Sequence, residues 1–224
     1  MKIALQTLAS AVFGVVFFAV ALFVPAGTVA YWQGWTFIAV FLVTTILPSI
    51  YLAVRDPAAL QRRMRAGPTA ETRPLQRIVI SATVVLVIAA LVVSALDHRF
   101  GWSSVPPWAV AVGYVLVAVG LLLAQLVVVQ NGYASANITV EEGQPLVSTG
   151  LYGMVRHPMY SGALVMMVGM PLALDSLWGL GVVAAAVPVL ALRIADEEKM
   201  LRDELAGYAE YATRVRSRLV PGVW

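Results

Sequence analysis

Residues 148–162 read Ser148-Thr-Gly-Leu-Tyr-Gly-Met-Val-Arg-His-Pro-Met-Tyr-Ser-Gly162, a short polar interval between two long apolar stretches that carries Tyr152, Arg156, His157 and Tyr160. His157-Pro158 stands directly before the second apolar run. Proline suits the first position of a helix, where its missing N–H costs nothing, so a helix starting at Pro158 is expected. The N–H groups of Met159, Tyr160 and Ser161 would then be free to hold an anion. The same arrangement also reads as a plain interfacial helix cap. Farther on, mostly apolar sequence leads to a second polar cluster, Arg193-Ile-Ala-Asp-Glu-Glu198. Ionisable groups beside a bilayer are costly and mark function by default, and the two clusters together look like one site.

The surrounding chain decides the class. Of its 224 residues 60% are hydrophobic and 12% charged, whereas a soluble domain holds about 45–50% apolar and about 25% charged residues. Several runs approach the roughly 20 apolar residues that cross a bilayer. Six candidate spans are expected, at 4–24, 31–54, 75–96, 107–129, 159–174 and 177–194. Backbone groups in lipid must be satisfied within the segment, and no alternating strand pattern is present, so the fold class is all-α, a polytopic integral membrane protein. Only Asp175 and Ser176 separate the last two spans, which read as a tight helical hairpin. The apolar run after Lys2 is too long for a secretory signal core and reads as an uncleaved first helix.

Charge supplies an orientation. Arg55, Arg62, Arg63, Arg65, Arg73 and Arg77 crowd one loop, and with six spans Lys2, Arg156, Arg193, Lys199, Arg202, Arg214, Arg216 and Arg218 share its side, leaving Arg99 alone opposite. The positive-inside rule puts both termini and both polar clusters in the cytoplasm. The thirteen Arg and abundant Ala and Val hint at a bacterial owner, hence its inner membrane. A net charge of +3, scattered over interfacial loops, points to anionic lipid headgroups rather than nucleic acid. Without Cys there is no disulfide, thiolate metal site or Cys nucleophile. The two histidines, His98 and His157, fall on opposite sides and cannot form one metal site; His98 reads as structural.

The loop after Arg55 contains Ala58-Ala-Leu-Gln-Arg-Arg-Met64, a short amphipathic segment suited to the membrane surface, then a break at Gly67-Pro68. Between Gln130 and Arg156 lies the longest irregular interval, with a turn expected over residues 141–145. The tail after Ile194 has helical spacing through Glu210. Arg193 and Glu197 lie four apart and share a helix face. They form either an exposed pair worth tenths of a kcal/mol or two separate ligand groups, a guanidinium for a carboxylate and a carboxylate for hydroxyls or an amine. Asp196, Glu198, Asp203 and Glu204 read as solvated helix-face charges. Gly179-Leu-Gly-Val-Val-Ala184 mimics a dinucleotide fingerprint, but no strand precedes it, and glycine there reads as helix packing.

The Ser148–Gly162 segment, followed by Glu197-Glu198-x-x-Leu201, Gly207-Tyr208-x-x-Tyr211 and Leu219-x-Pro221-Gly222, resembles the isoprenylcysteine carboxyl methyltransferase family, with a more distant likeness to phospholipid methyltransferases. The resemblance is strongest over residues 130–224. Toward a bacterial branch it extends to Asp56-Pro-Ala-Ala-Leu60 and to residues 96–108. It implies a single membrane methyltransferase domain, with helices to residue 130 and a cofactor-binding, catalytic region over 131–224. It also implies S-adenosyl-L-methionine in a cytoplasmic pocket, contacted by Gln130, Gln144, Pro145, Leu146, Val147, Tyr152, His157, Pro158, Met159, Tyr160 and Glu197. Arg193 would be the catalytic, substrate-side arginine that binds an acceptor carboxylate. The chain departs from the family in having Leu205-Ala206-Gly207 where Phe-Gly commonly precedes the first tail tyrosine. In-line methyl transfer needs alignment in a dry pocket and no metal. The expected acceptor is lipophilic, the carboxylate of an isoprenylcysteine-like or isoprenoid acid. Rival readings are a phospholipid N-methyltransferase, a thiol methyltransferase, an NADPH-dependent membrane sterol or lipid reductase, and a non-catalytic membrane protein or transporter.

Overall fold

A computed structural model describes residues 2–64, 71, 73–134, 140 and 143–224, with backbone only at 2–8, 63 and 64. The expected break at Gly67-Pro68 and the Glu141-Glu142 part of the expected turn lie outside these residues. Among the described residues the regular structure is helical: α1 (Lys2–Ala26), α2 (Trp32–Arg55), α3 (Pro57–Met64), α4 (Pro74–Phe100), α5 (Pro107–Gln130), α6 (Pro158–Ala173), α7 (Trp178–Glu204) and α8 (Tyr208–Arg214), with a 3-10 turn at Gly150–Gly153. Five of these are long and apolar enough to cross a membrane, and α6 is a shorter apolar helix. The chain is a polytopic integral membrane protein.

Proline and glycine punctuate the helices as their backbones require. Pro74, Pro107 and Pro158 each open a helix, and Gly101, at φ 63°, closes α4 in the left-handed conformation while its N–H donates to the Asp97 carbonyl. Outward faces stay apolar, as lipid demands: Phe13, Val16, Val20 and Val24 repeat along α1, and Val115, Val119, Leu122 and Leu126 along α5. The inward faces meet in one core that joins Leu22, Phe37, Leu91, Val117, Met170 and Val183.

Close packing of α5 on α6 depends on glycine. The two helices run antiparallel, and Gly113 and Gly120 of α5 face Gly169 and Gly162 of α6. A Cβ on Gly169 would stand 2.7 Å from the Leu116 Cβ and 2.8 Å from the Gly113 carbonyl oxygen. Small residues let membrane helices share backbone-to-backbone van der Waals contact, the main attraction available where lipid is as apolar as the side chains. Gly179, set aside above as helix packing, lies against Ser94 and Pro171. Although α6 and α7 are joined by a tight turn, each rests chiefly on a different partner, α6 on α5 and α7 on α4.

That turn is pinned. Asp175 adopts φ 58°, and its carboxylate accepts from the Val105 N–H (2.6 Å) and the Gln33 amide (3.2 Å). Buried Asp97 accepts from the hydroxyls of Ser103 and Ser176, both at 2.6 Å. Tyr31 donates to the Leu174 carbonyl (2.6 Å) and stacks on His98 with ring centroids 4.0 Å apart. Trp32, Trp35, Trp102, Trp108 and Trp178 surround this end as exposed rings, the interfacial belt of a membrane protein.

The opposite end is built differently. At 1.5 Å per residue the 16 residues of α6 reach about 24 Å, while the 27 of α7 reach about 40 Å. The start of α6 is therefore recessed beside an overhanging, charged end of α7. The tail helix expected to continue through Glu210 instead breaks at Leu205, and Gly207, at φ 80°, starts α8. This reversal folds Tyr208 and Tyr211 back under α7, where both are buried.

Candidate ligand pocket at the recessed end

The step between α6 and α7 forms an open cavity of about 790 Å³, solvent at its mouth included. Ten residues expected to contact a cofactor line it: Gln144, Pro145, Leu146, Val147, Tyr152, His157, Pro158, Met159, Tyr160 and Glu197. Asn131, Tyr133, Ala134, Arg156, Met200, Leu201, Leu205, Tyr208 and Tyr211 complete the wall. Apolar side chains such as Leu146, Val147 and Met159 share this wall with the hydroxyl, amide and carboxylate groups of Tyr152, Asn131 and Glu197, the mixed lining of a small-molecule site. Gln130 and Arg193 do not line the cavity. The Gln130 amide donates to the Thr149 carbonyl (2.6 Å) and its oxygen accepts from the Leu151 N–H (3.1 Å), so it shapes the turn that carries Tyr152.

The α6 N-terminus differs from the anion site expected of it. The Ser161 N–H already donates to the His157 carbonyl at 3.1 Å, and two carboxylates face the ring of His157. Its Nε2 lies 3.2 Å from Glu198 Oε1 and its Nδ1 4.0 Å from Glu197 Oε2. That environment favours a cation or a hydrogen-bond donor over an anion.

Glu198 is not a solvated surface charge. It is buried, accepts from Arg156 Nε at 2.7 Å, and is flanked by Arg202 (3.1 Å) and Arg218 (3.2 Å). Arg156 continues outward, its Nη1 donating to the carbonyls of Val215 and Arg216, both at 2.8 Å. The N–H groups of Arg156 and His157 donate to Ser217 and Arg218, both at 2.9 Å, and the Ser161 hydroxyl to Leu219 at 2.7 Å. A strap of residues 215–219 is thereby laced to the start of α6, and one buried carboxylate balances the cations that lace it. Nothing local in the sequence marks Glu198 for this role, since Arg156 and Arg218 reach it only through the fold.

Asp196 is also engaged, by Arg73 at 2.9 Å and by the Gln76 amide. The network runs on to Arg193, which is buried rather than exposed. Its Nη1 donates to Gln76 (3.2 Å), its Nη2 to Glu71 (3.3 Å), and its Nε to the Tyr160 hydroxyl (2.9 Å). Tyr160 in turn donates to Glu197 Oε2 at 2.6 Å. Arg193 and Glu197 thus share a helix face, as their spacing requires, but the tyrosine of α6 stands between them. Glu71 and Gln76, which the sequence did not single out, hold the guanidinium from α4 and the loop before it.

On the pocket floor, Tyr211 donates to the Tyr152 carbonyl (2.6 Å) and Tyr152 accepts from the Asn131 amide (3.2 Å). Burial pushes the Tyr211 phenol up to about 12; Tyr152 and Glu198 add to the rise and Arg156 opposes it. Burial likewise raises Tyr152, against the Asn131 hydrogen bond.

Fold and site together define a polytopic α-helical membrane protein with a cavity recessed at one end of its bundle. Residues 108–206 match the phospholipid methyltransferase family model. A probable protein-S-isoprenylcysteine O-methyltransferase of Oryza sativa subsp. japonica is 34% identical over 115 residues, 48% of this chain and 59% of the relative. Protein-S-isoprenylcysteine O-methyltransferase B of Arabidopsis thaliana is 33% identical over 117 residues, 49% of this chain and 58% of the relative. The chain therefore spans less than two thirds of these curated relatives. The structure of the eukaryotic intramembrane Ras methyltransferase, isoprenylcysteine carboxyl methyltransferase, shares the fold over 99% of this chain and 97% of its own, with a TM-score of 0.50 at 17% identity. Over about half its length the chain is thus similar to protein-S-isoprenylcysteine O-methyltransferases.

Proposed function

We propose that this protein is an S-adenosyl-L-methionine-dependent methyltransferase of a lipophilic acid, an isoprenylcysteine-like or isoprenoid carboxylate, in a bacterial inner membrane with the pocket facing the cytoplasm. The observation that carries the reading is the arrangement around Tyr160: its hydroxyl donates to Glu197 of the cavity wall on one side and accepts from buried Arg193 on the other.

The lining suits an adenosyl sulfonium. Pro145, Leu146, Val147 and Met159 offer an apolar wall for a heteroaromatic base. The partly exposed Glu197 accepts from hydroxyls or an ammonium group and, with Glu198 behind His157, makes the pocket hospitable to positive charge. When bound, the donor supplies an electrophilic methyl group to an acceptor that is already ionised at neutral pH. Arg193 binds and orients the carboxylate, for which its planar fork is suited. Tyr160 couples the two halves and holds Glu197 in place. Residues 131–224 form the catalytic region.

Calorimetry of the purified protein against S-adenosylmethionine, S-adenosylhomocysteine and NADPH tests this reading. Binding of both adenosyl ligands is expected. Tight NADPH binding without either adenosyl ligand would overturn it in favour of a reductase. Glu197→Ala is expected to weaken adenosyl binding by roughly tenfold or more, the loss of a charge-assisted hydrogen bond, and Arg193→Ala to abolish transfer to an acid while retaining most ligand affinity. Equal loss of affinity in both variants would refute that division of roles.

A further inference from the structure

Tyr208 lines the pocket with a hydroxyl that is both buried and without a hydrogen-bond partner among the described residues. Tyr152, Tyr160 and Tyr211 each make a hydrogen bond with another side chain or a carbonyl. We propose that Tyr208 is a ligand-contacting residue of this pocket, its hydroxyl satisfied by a polar atom of the bound adenosyl molecule. The inference rests on the methyltransferase reading above and adds to it a residue on the tail.

The fold places Tyr208 there deliberately. Gly207 turns the chain through a left-handed conformation, and a Cβ at that position would already touch Leu146 of the pocket wall at 3.4 Å. The ring packs edge-on to Tyr211, centroids 5.7 Å apart, so it is fixed by neighbours on the same helix. An unpaired buried hydroxyl is destabilising relative to one that is bonded, and a phenylalanine would fill the same space without that cost. A hydroxyl kept in such a position is poised for a group that arrives with the ligand. Burial raises the Tyr208 phenol, and the carboxylates of Glu198 and Glu197 raise it further. It therefore stays neutral at physiological pH and can donate to a ligand carboxylate or ring nitrogen, or accept from a ribose hydroxyl.

The consequence is an unusual pair of effects from one substitution. Tyr208→Phe removes a group that only the complex satisfies, so affinity and ligand-free stability should separate. Calorimetry of full-length wild type and Tyr208→Phe with S-adenosylhomocysteine is expected to show binding weakened roughly three- to tenfold, the value of one hydrogen bond. The melting temperature without ligand is expected to be unchanged or higher. Tyr211→Phe, which removes the bond to the Tyr152 carbonyl, is expected to lower that melting temperature. Binding by Tyr208→Phe within twofold of wild type overturns the assignment. So does a ligand-free destabilisation as large as that of Tyr211→Phe, which would make the hydroxyl structural. If wild type binds no adenosyl ligand, the methyltransferase reading falls and this assignment with it; binding by wild type and variant alike removes the assignment alone.

Discussion

The glycine-lined contact between α5 and α6 can be tested by adding one methyl group. In Gly169→Ala the new Cβ would lie 2.7 Å from the Leu116 Cβ and 2.8 Å from both the Gly113 oxygen and the Val117 nitrogen. An unstrained carbon contact needs roughly 3.5 Å, so the helices must part by about 0.8 Å. Such a gap forfeits about a quarter to a half of each contact well along the interface, and overpacking of this kind typically costs about 1–3 kcal/mol. Alanine also gains about 1 kcal/mol of helix propensity over glycine, which would mask part of the effect. Gly14→Ala supplies the correction: Gly14 lies within α1, and a Cβ there meets nothing within 4 Å. The difference between the two variants isolates the clash. For a chain of this length, 1–3 kcal/mol corresponds to a gap of roughly 2–12 °C in melting temperature, with Gly169→Ala the lower. Intrinsic fluorescence of the six tryptophans reports the transition, since the absence of Cys rules out thiol-reactive dyes. Melting temperatures within 1 °C of each other would refute close backbone packing at this interface.

Two other outcomes follow from the recessed end. Glu198→Gln leaves Arg156 and His157 buried around a neutral amide, a loss of about 3–5 kcal/mol for a fully buried pair and less where Arg202 and Arg218 reach water. Faster tryptic cleavage at Arg214, Arg216 and Arg218 is expected as the strap loosens, and unaltered cleavage would mean the carboxylate does not hold it. Alkali should loosen the same region through Tyr211. Burial pushes its phenol up to about 12 in the folded protein against about 10 when unfolded, so between those values the unfolded chain sheds a proton that the folded one keeps. Stability from this group is complete below pH 10 and is lost as pH rises toward 12. Tyr211→Phe should flatten that part of a melting-temperature profile, and an unchanged profile would exclude the mechanism.

Much of the site was legible because its residues cluster in the chain. The polar interval at 148–162 and the pair Arg193 and Glu197 stand out against apolar surroundings, and ten of the eleven residues expected to contact the cofactor line the cavity. Glu198 was misread because Arg156 and Arg218, which join Arg202 around it, lie 42 and 20 residues away, so neither spacing nor periodicity reports them. Glu71 and Gln76 were passed over for the same reason, being joined to Arg193 across more than a hundred residues. The expected anion site failed on a different ground: spacing shows that a helix begins at Pro158, but not that carboxylates from α7 will face it.

The sequence by itself determined that the chain is a helical membrane protein, where each long apolar helix starts to within about two residues, and which end carries charge. Apolar length, proline and the cost of an unbonded backbone in lipid act locally and need no partner. Tertiary structure decided the rest. It recessed α6 against an overhanging α7, set Tyr160 between Arg193 and Glu197, folded the tail under the cavity and buried Glu198 among its cations. Those features depend on which faces meet, and glycine contacts, shared hydrogen bonds and balanced charge settle that only when distant segments come together.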